Sequence, residues 1–459
     1  MARLTIFLAI GALLAACATS VTNTTPGAAT DAGGFELAPA PSFPDDSLPE
    51  PVAAAARRLM SSAVLDLDLE ALSEVASSGD SRMAWLVSDL LRFFQVGRPA
   101  EELVSAFFEL TGVDPATDPS FAESRWRSVT DHLLAWNLPA PPGYQDLKKE
   151  LFLLVEPKWE PFFSDSDADI DWRWLSWGGV FIDDRPLGSL TPCPRGCIPA
   201  LDDPALVEAA AGDWYPDANL VFGVVVNGEA VAFPKNMMEV HEMVNITIDG
   251  RRLGIPYCTL CGSAQAYYTD GHAGPIVLRT SGLLSRSNKV MYDLVSRSVF
   301  DTFTGRALSG PLQDASLHLE QATVVSSRWG EWKEAHPQTR IVAEDGGIGR
   351  TYPDDPLRGR DDAGPIFPVG PVDPRLPVQA QVVGVVTDQG PVAFPVDQIR
   401  GLVDAGEEVT MGGVTLVGDG GGFRTSGSGG EELPSHQAFW FAWSQFHPDT
   451  LLWTPIGGG

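Results

Sequence analysis

Two cysteines three positions apart form the most reactive motif of the sequence. The segment GIPYCTLCGSAQAYY, residues 254–268, holds Cys258 and Cys261 in a Cys-x-x-Cys arrangement. Cys258 ends the strand-like run RRLGIPYC, and a second strand-like run, AQAYY, follows Cys261, Gly262 and Ser263. The pattern predicts that the pair caps a β-turn or hairpin.

Cysteines at this spacing can form a disulfide, act as a redox couple or bind a metal ion. Attachment of c-type haem requires a His directly after the second cysteine, and Gly262 stands there. A thioredoxin-like couple places its first cysteine at a helix N-terminus, which strand patterns on both sides disfavour. A plain disulfide and a site for copper or another thiophilic metal both remain open.

A second close pair, Cys193 and Cys197, lies in the proline-flanked segment TPCPRGCIPALDDP. All four cysteines together could form a Cys₄ zinc site, although structural zinc is unusual in an oxidising compartment. The segment has the pattern of a small loop closed by a structural disulfide, and we expect no catalytic role for it.

His241 is the candidate third group of the cysteine site. It lies in PKNMMEVHEMVN, a short predicted helix, and Glu242 beside it could orient its imidazole. A buried imidazole needs a partner, which a metal ion, a carboxylate or a backbone carbonyl would supply. Asn245 occupies the place of the second His of H-E-x-x-H, which excludes a zincin-type protease.

The strand-rich segment from Gly274 to Leu312 offers further polar groups. They could line a pocket beside the cysteines, or they could be ordinary turn and edge residues. The pocket candidates are Arg279, Ser281, Asn288, Tyr292 and Asp293 from this segment, together with Ser263 directly after the cysteine pair.

An internal repeat organises the chain beyond about residue 170. VFGVVVNGEAVAFP at 221–234 aligns without gaps to VVGVVTDQGPVAFP at 382–395, and each predicts a hairpin, with Asn227-Gly228 as a type I′ turn. WKEAHPQT at 332–339 and WSQFHPDT at 443–450 then share Trp-x-x-x-His-Pro-x-Thr. The first copy is longer by about fifty residues, which include the cysteine pair.

The second copy serves as a comparison for the first, because features that both share are expected to be scaffold. His336 and His447 occur in both copies and precede a Pro, so we predict that they form helix-to-strand corners. His241 aligns with Leu402, which predicts that its side chain points inward.

The first residues indicate export. A short apolar run ends in Leu14-Ala15-Ala16-Cys17, which resembles the lipobox of bacterial lipoproteins. We therefore expect a signal peptide at 1–16, lipidation of Cys17, a disordered tether at 17–50, and an extracytoplasmic protein anchored to a membrane through its lipid.

Residues 51–160 carry short amphipathic helical patterns in series, a repeat-like region that could dock a protein partner. The chain has 60 acidic and 31 basic side chains, a formal net charge of -29. Such a surface repels phosphate backbones, so nucleic-acid binding is not expected.

Six ordered motifs resemble a bacterial and archaeal family, domain of unknown function 3179. They are the VAFP hairpin, HEMVN, YCTLCGSA, SGLLSRSNKVMYD, TGRALSGPL and WKEAHPQT, and the resemblance covers about residues 172–455. The family pattern has Cys-Pro-Leu-Cys-Gly-Ser where this chain has Thr259 after Cys258, and it usually has Trp where this chain reads SVFDTF. The resemblance implies a domain boundary and no established reaction.

The sequence predicts an α+β protein with a helical N-terminal region and a strand-rich, internally duplicated domain at 170–459. Its repeats span about 215–345 and 378–455. The leading hypothesis is a metal-binding or redox pocket formed by Cys258, Cys261 and His241, with copper or zinc as possible cofactor. The alternative is a non-catalytic binding module with structural disulfides.

Overall fold

The computed structural model describes residues 37–45, 47–62, 66–272, 274–359 and 364–455. The predicted signal peptide and lipidation site Cys17, with most of the predicted tether, lie outside the described residues. Helices dominate up to residue 163 and short strands dominate thereafter, which confirms the predicted helical N-terminal and strand-rich C-terminal regions.

Seven helices build the N-terminal region around one apolar core. Trp85, Phe107 and Trp159 are among its fully buried side chains, and the same core continues onto Leu283 and Tyr292 of the strand-rich region. None of the helices in the described ranges has both the length and the apolar character needed to cross a bilayer. The helices are α1 (Glu50–Ser62), α2 (Leu69–Ala76), α3 (Ala84–Leu91), α4 (Gly97–Thr111), α5 (Arg125–Ala135), α6 (Tyr144–Val155) and α7 (Glu160–Phe163).

Three short strands precede the first copy of the repeat, which is interrupted by an insertion at 243–324. The elements are β1 (Leu175–Trp177), β2 (Leu201–Asp202), β3 (Leu206–Glu208), β4 (Leu220–Val226), β5 (Glu229–Pro234), α8 (Lys235–His241), β6 (Met243–Ile248), β7 (Arg251–Cys258), β8 (Ser263–Ala264), β9 (Ala266–Tyr268), β10 (Leu278–Ser285), β11 (Asn288–Asp293), β12 (Val299–Asp301), α9 (Gly310–Asp314), β13 (Gln321–Ala322), β14 (Val325–Arg328), α10 (Trp329–Ala335) and β15 (Arg340–Val342).

The second copy has a shorter insertion at 409–433. Its elements are β16 (Gln381–Thr387), β17 (Gly390–Pro395), α11 (Val396–Asp404), β18 (Val409–Met411), β19 (Val414–Asp419), β20 (Gly422–Gly427), β21 (Glu432–Leu433), β22 (Ser435–Phe439), α12 (Trp440–Phe446) and β23 (Leu451–Leu452).

Both copies form the same sheet. The first has the order β14-β4-β5-β15, with β3 added at its edge, and the second has the order β22-β16-β17-β23. In each, the third strand runs antiparallel to the first strand of the hairpin, and the fourth runs parallel to the second. The predicted hairpins are present, and Asn227 and Gly228 both have positive φ, as a type I′ turn requires.

A tryptophan laid over a glycine joins helix to sheet in each copy. A Cβ on Gly223 would lie 2.4 Å from the Trp332 ring, and one on Gly384 would lie 2.1 Å from the Trp443 ring. Each indole N–H donates to the threonine hydroxyl of its own motif, at 2.9 Å in the first copy and 3.0 Å in the second. These contacts explain why glycine and Trp-x-x-x-His-Pro-x-Thr recur together.

The insertions leave both copies at the same point, after the helix that follows the hairpin. The insertion of the second copy is an antiparallel sheet, β18-β19-β20-β21. The insertion of the first supplies most of two further sheets, β13-β9-β7-β6-β2 and β1-β10-β11-β12, with β8 paired to β7. The five sheets form a propeller-like array of five blades, and the duplication accounts for two of them.

We predict that Gly384→Ala lowers the free energy of unfolding by about 1–3 kcal/mol, because the new methyl group displaces the Trp443 ring. Gly401→Ala is the matched control: Gly401 lies within α11 with nothing within 4 Å of its Cβ position, so we expect a gain of up to about 1 kcal/mol. Urea unfolding followed by tryptophan fluorescence measures both. Equal effects of the two variants would contradict the role of the ring contact.

Candidate functional site

The cysteine pair closes a hairpin between β7 and β8. Cys258 ends β7 and pairs with Ser263, and the Cys261 N–H donates to the Cys258 carbonyl at 3.3 Å. Gly262 follows with φ +58°, a conformation that favours glycine. The predicted hairpin is confirmed, and no helix starts at Cys258 as it would in a thioredoxin-like site.

The hairpin is held against the second copy of the repeat. The Phe439 N–H donates to the Cys261 carbonyl at 2.8 Å, and a Cβ on Gly262 would lie 2.8 Å from the Phe439 ring. Both cysteines belong to one apolar cluster with Phe303 of the same insertion and with Trp440 and other side chains of the second copy. The extra segment of the first copy therefore depends on the second copy for its position.

The two sulfurs are free thiols 3.1 Å apart. Cys258 is 2% exposed and lines a cavity of about 420 Å³, whereas Cys261 is fully buried and is not among the residues that line it. The Cys261 sulfur instead faces the Asn288 side-chain oxygen at 3.4 Å. One thiol is thus presented to a cavity and the other lies behind it.

The cavity lies where several parts of the chain meet. Its walls come from the segment before β2, the end of α8, the cysteine hairpin, β10, β11 and the loop after β15. Most of the lining is apolar, including Leu260, Leu283 and Phe367. Its charged groups are Glu239, Glu242, Lys289 and Arg350.

Glu242 and Lys289 flank Cys258. The Lys289 ammonium donates to the backbone carbonyl of Glu242, and the Thr259 hydroxyl lies 3.4 Å from the Glu242 carboxylate. Glu242 ends α8 in the left-handed conformation, φ 49°, which costs a non-glycine residue about 1 kcal/mol or more. Helices commonly end at a residue in this conformation, and here it fixes the backbone from which the Glu242 side chain reaches the cavity.

The two thiols ionise differently. Burial opposes ionisation of Cys258, but the hydrogen bond from Cys261 and the backbone amides of Lys289 and Cys261 outweigh it, so the pKa of Cys258 is lowered. Burial, the contact with Cys258 and nearby negative charge raise the pKa of Cys261 well above its usual range. Cys258 is therefore the thiol that becomes a nucleophilic thiolate.

Burial shifts the pKa values of the neighbouring Glu242 and Lys289 in the direction that favours their uncharged forms. Burial raises the pKa of Glu242, against the opposing effects of Lys289 and Thr259. Burial lowers the pKa of Lys289 to about 8, against the effects of Glu242 and Cys258. Both pKa values are moved toward the neutral range, which is the direction that favours proton exchange with the cysteines.

His241 lies apart from the cysteines. It is buried, as its alignment with Leu402 predicts, but its Nδ1–H donates to the Pro199 carbonyl and its Nε2 accepts from the Tyr352 hydroxyl, both at 2.7 Å. It lines a different cavity, which Cys193 also lines. With both ring nitrogens occupied, His241 is not brought to Cys258 and Cys261 as a third ligand.

Of the six pocket candidates, Asn288 contacts a cysteine. Ser281 donates to the Val290 carbonyl, and the Tyr292 hydroxyl donates to the Asp183 carbonyl. The others are also bonded within the protein: Ser263 to Gln265, Arg279 to Asp202, and Asp293 to the Val277 and Ser296 amides. None of the six lines the cavity beside Cys258.

Cys193 and Cys197 form a disulfide, as their loop pattern predicts. Together with Asp183 they form a group of three potential metal-binding side chains, the one such group found within the described ranges. Sulfurs joined to each other are not thiolates and do not bind a metal as thiolates do. We therefore assign this loop a structural role.

Sequence reasoning missed Lys289, Arg350 and Glu239 as parts of the cavity. The signal for Lys289 was present, because a lysine inside the strand pattern SNKVMYD becomes a buried cation unless it has a partner. Arg350 comes from a loop about 90 residues after the cysteines, and no local pattern relates the two.

Comparison with protein families now decides the relationship that the motifs suggested. The family described as "Protein of unknown function (DUF3179)" matches residues 195–418. This segment belongs to the DUF3179 family. The match includes the cysteine hairpin and all of the first copy, but it ends inside the second copy, so it is shorter at both ends than the motifs predicted. No curated protein and no solved structure matched the chain.

The role of His241 can be tested through the pH dependence of stability. Burial lowers its pKa to about 4 in the folded protein, below the ordinary value of 6.5. Between pH 6.5 and 4 the unfolded chain therefore binds a proton that the folded protein does not, and stability falls as the pH falls. We expect His241→Leu to remove about 2–3 kcal/mol of this fall.

Urea unfolding at pH 7, 5.5 and 4 measures the effect. Met238→Leu repacks the same helix without removing a titratable group and should keep the slope of the wild type. If His241→Leu retains the full slope, the buried neutral state of His241 is refuted.

Proposed function

We propose that this DUF3179 domain carries out thiol–disulfide exchange with Cys258 as the attacking thiol and Cys261 as the resolving thiol. The observation that carries the proposal is the asymmetry of the pair: two free sulfurs 3.1 Å apart, of which only Cys258 lines the cavity. A disulfide bond needs the sulfurs about 2.05 Å apart, so the pair closes with a shift of about 1 Å.

The reaction balances with a disulfide substrate. The Cys258 thiolate attacks one sulfur, a mixed disulfide forms, and the substrate's second sulfur leaves as a thiolate. Cys261 then loses its proton and attacks the Cys258 sulfur, which releases the rest of the substrate as a second thiolate. Two electrons pass from the protein dithiol to the substrate, and an external dithiol must reduce the protein again.

Glu242 and Lys289 are the proton-exchanging groups of this scheme. A thiolate leaving from Cys258 departs beside both, and either can supply its proton because their pKa values are shifted toward neutrality. The apolar walls keep water from the mixed disulfide. The Lys289 charge also favours the Cys258 thiolate.

The geometry favours redox chemistry over a metal ion shared with His241. Two thiolates on one tetrahedral zinc lie about 3.8 Å apart, given Zn–S bonds of about 2.3 Å. The sulfurs here are closer, and both His241 ring nitrogens are bonded elsewhere. Within the described ranges, no third Asp, Glu or His side chain joins Cys258 and Cys261 in a compact donor cluster.

We predict different products for two serine variants treated with oxidised glutathione. Wild type should form the Cys258–Cys261 disulfide, while Cys261→Ser should accumulate a glutathione adduct on Cys258. Cys258→Ser should react at least about 100-fold more slowly, because its remaining thiol is buried with a raised pKa. Intact mass and peptide mapping identify each product and its position.

Metal content is measured on the same samples, purified without chelator. An adduct on Cys261 in the Cys258→Ser variant, formed as fast as in the wild type, would overturn the assignment of roles. Inert thiols with about one bound equivalent of copper or zinc would replace exchange by metal binding as the function of the pair.

We also propose that the domain works outside the cytoplasm, tethered through a lipid on Cys17. The Leu14-Ala15-Ala16-Cys17 sequence and the oxidised Cys193–Cys197 pair support this. We expect labelled palmitate to be incorporated by wild type and not by Cys17→Ala, which should leave the membrane fraction. Labelling that survives in Cys17→Ala would refute the anchor. A protein partner for the helical region stays a prediction.

A further inference from the structure

A second cavity, independent of the cysteine site, gathers histidines. It measures about 390 Å³ and is lined by residues of β22, α12, the β12–β13 segment and the second hairpin. Three of the seven histidines of the chain, His318, His436 and His447, line it, with Glu320 beside them. The aromatic rings of Phe303 and Trp443 complete its walls.

His436 is buried with one nitrogen unpartnered. Its side chain is 3% exposed and its Nδ1 lies 2.9 Å from the Gln321 side-chain nitrogen. Its Nε2 is buried and has no hydrogen-bond partner within the described residues. A buried polar atom without a partner costs about 1–3 kcal/mol, so its retention points to a ligand.

His447 shares these surroundings. Its imidazole packs 4.3 Å from the Trp443 ring and 6.0 Å from the Phe303 ring, and His436 contacts the same two rings at 5.7 and 5.1 Å. Neither nitrogen of His447 has a hydrogen-bond partner in the part of the chain that the structure describes. Both imidazoles are thus packed against the same two aromatic rings, and both line the cavity.

The first copy shows what these positions contain without a site. His336, the counterpart of His447, bonds to the Asp419 carboxylate at 2.7 Å. The counterpart of His436 is Val325, because Val325 pairs with Gly223 as His436 pairs with Gly384. The fold is thus built with valine at this strand position, and the histidine of the second copy is not needed for packing.

Imidazole nitrogens that keep their lone pairs at neutral pH are ligands for transition metals. Burial lowers the pKa of His436 to about 3 and that of His447 to about 4, so both are neutral at pH 7. If the Gln321 amide is turned to present its oxygen, His436 donates its Nδ1–H and keeps a lone pair on the unpartnered Nε2. Such an anchored second nitrogen is typical of metal-binding histidines.

We propose that His436 and His447 bind a divalent transition-metal ion in this cavity. Water would complete the coordination, because within the described residues no third His, Cys, Asp or Glu side chain joins these two histidines in a compact donor cluster. The proposal goes beyond thiol–disulfide exchange and does not depend on it.

The test is titration of the full chain with Ni²⁺, followed by calorimetry, in a Cys258→Ser/Cys261→Ser background that removes the free thiols. We expect one equivalent to bind with micromolar affinity. His436→Val, which restores the residue of the first copy, and His447→Gln should each weaken binding at least tenfold.

His336→Gln is the matched control and should bind as tightly as its parent. Circular dichroism establishes whether each variant is folded. If His436→Val does not fold, the comparison of His447→Gln with the parent still decides the test. Absence of binding by the parent, or equal affinity of the parent and the folded variants of His436 and His447, would overturn the proposal.

Discussion

The contact between the cysteine hairpin and the second copy of the repeat is the constraint on which the candidate site depends. β8 pairs with the end of β7 at two positions, and this end of the hairpin is fixed by the hydrogen bond from the Phe439 N–H to the Cys261 carbonyl. Gly262 makes the approach possible, because any side chain there would meet the Phe439 ring. The same contact buries Cys261, whereas Cys258 lines the cavity.

Burial sets the chemistry of this site more than any single ion pair does. It opposes the charged forms of Glu242, Lys289 and Cys261, while hydrogen bonds outweigh it at Cys258 and so separate two cysteines that the sequence presents as equivalent. The oxidised pair at Cys193 and Cys197 lies in a partly exposed loop that lines the cavity of His241 instead. One protein thus holds two closely spaced cysteine pairs, of which Cys193–Cys197 is a disulfide and Cys258 and Cys261 are free thiols.

Features with a local cause could be predicted from the sequence. The hairpins follow from alternating apolar residues and turn signals, and the position of Trp332 follows from its recurrence with a glycine in both copies. The inward direction of His241 was also predictable, because its counterpart is Leu402. These predictions need only contacts along one element or between adjacent ones.

Partners distant in sequence could not be predicted. His241 is bonded to Pro199 and Tyr352, which lie 42 and 111 residues away, so the choice between metal ligand and bonded core residue was undecidable locally. His447 was expected to be a structural corner like His336, yet only His336 meets a carboxylate, supplied by an insertion with its own sequence. The cavity of Cys258 is likewise completed by Arg350, which lies about 90 residues later in the chain.

The position of the insertions has a consequence for folding. In each copy the hairpin forms from adjacent residues, but the next strand of the sheet arrives only after residues 235–324 in the first copy and 396–434 in the second. The longer closure adds less than about 1 kcal/mol of chain entropy, so the fold tolerates long additions at this point. Pairing of β14 with β4 is a contact between distant residues, so we expect it to form more slowly than the hairpin. A nascent chain whose first sheet has closed therefore already contains the cysteine hairpin, but Cys261 becomes buried when the second copy packs against it.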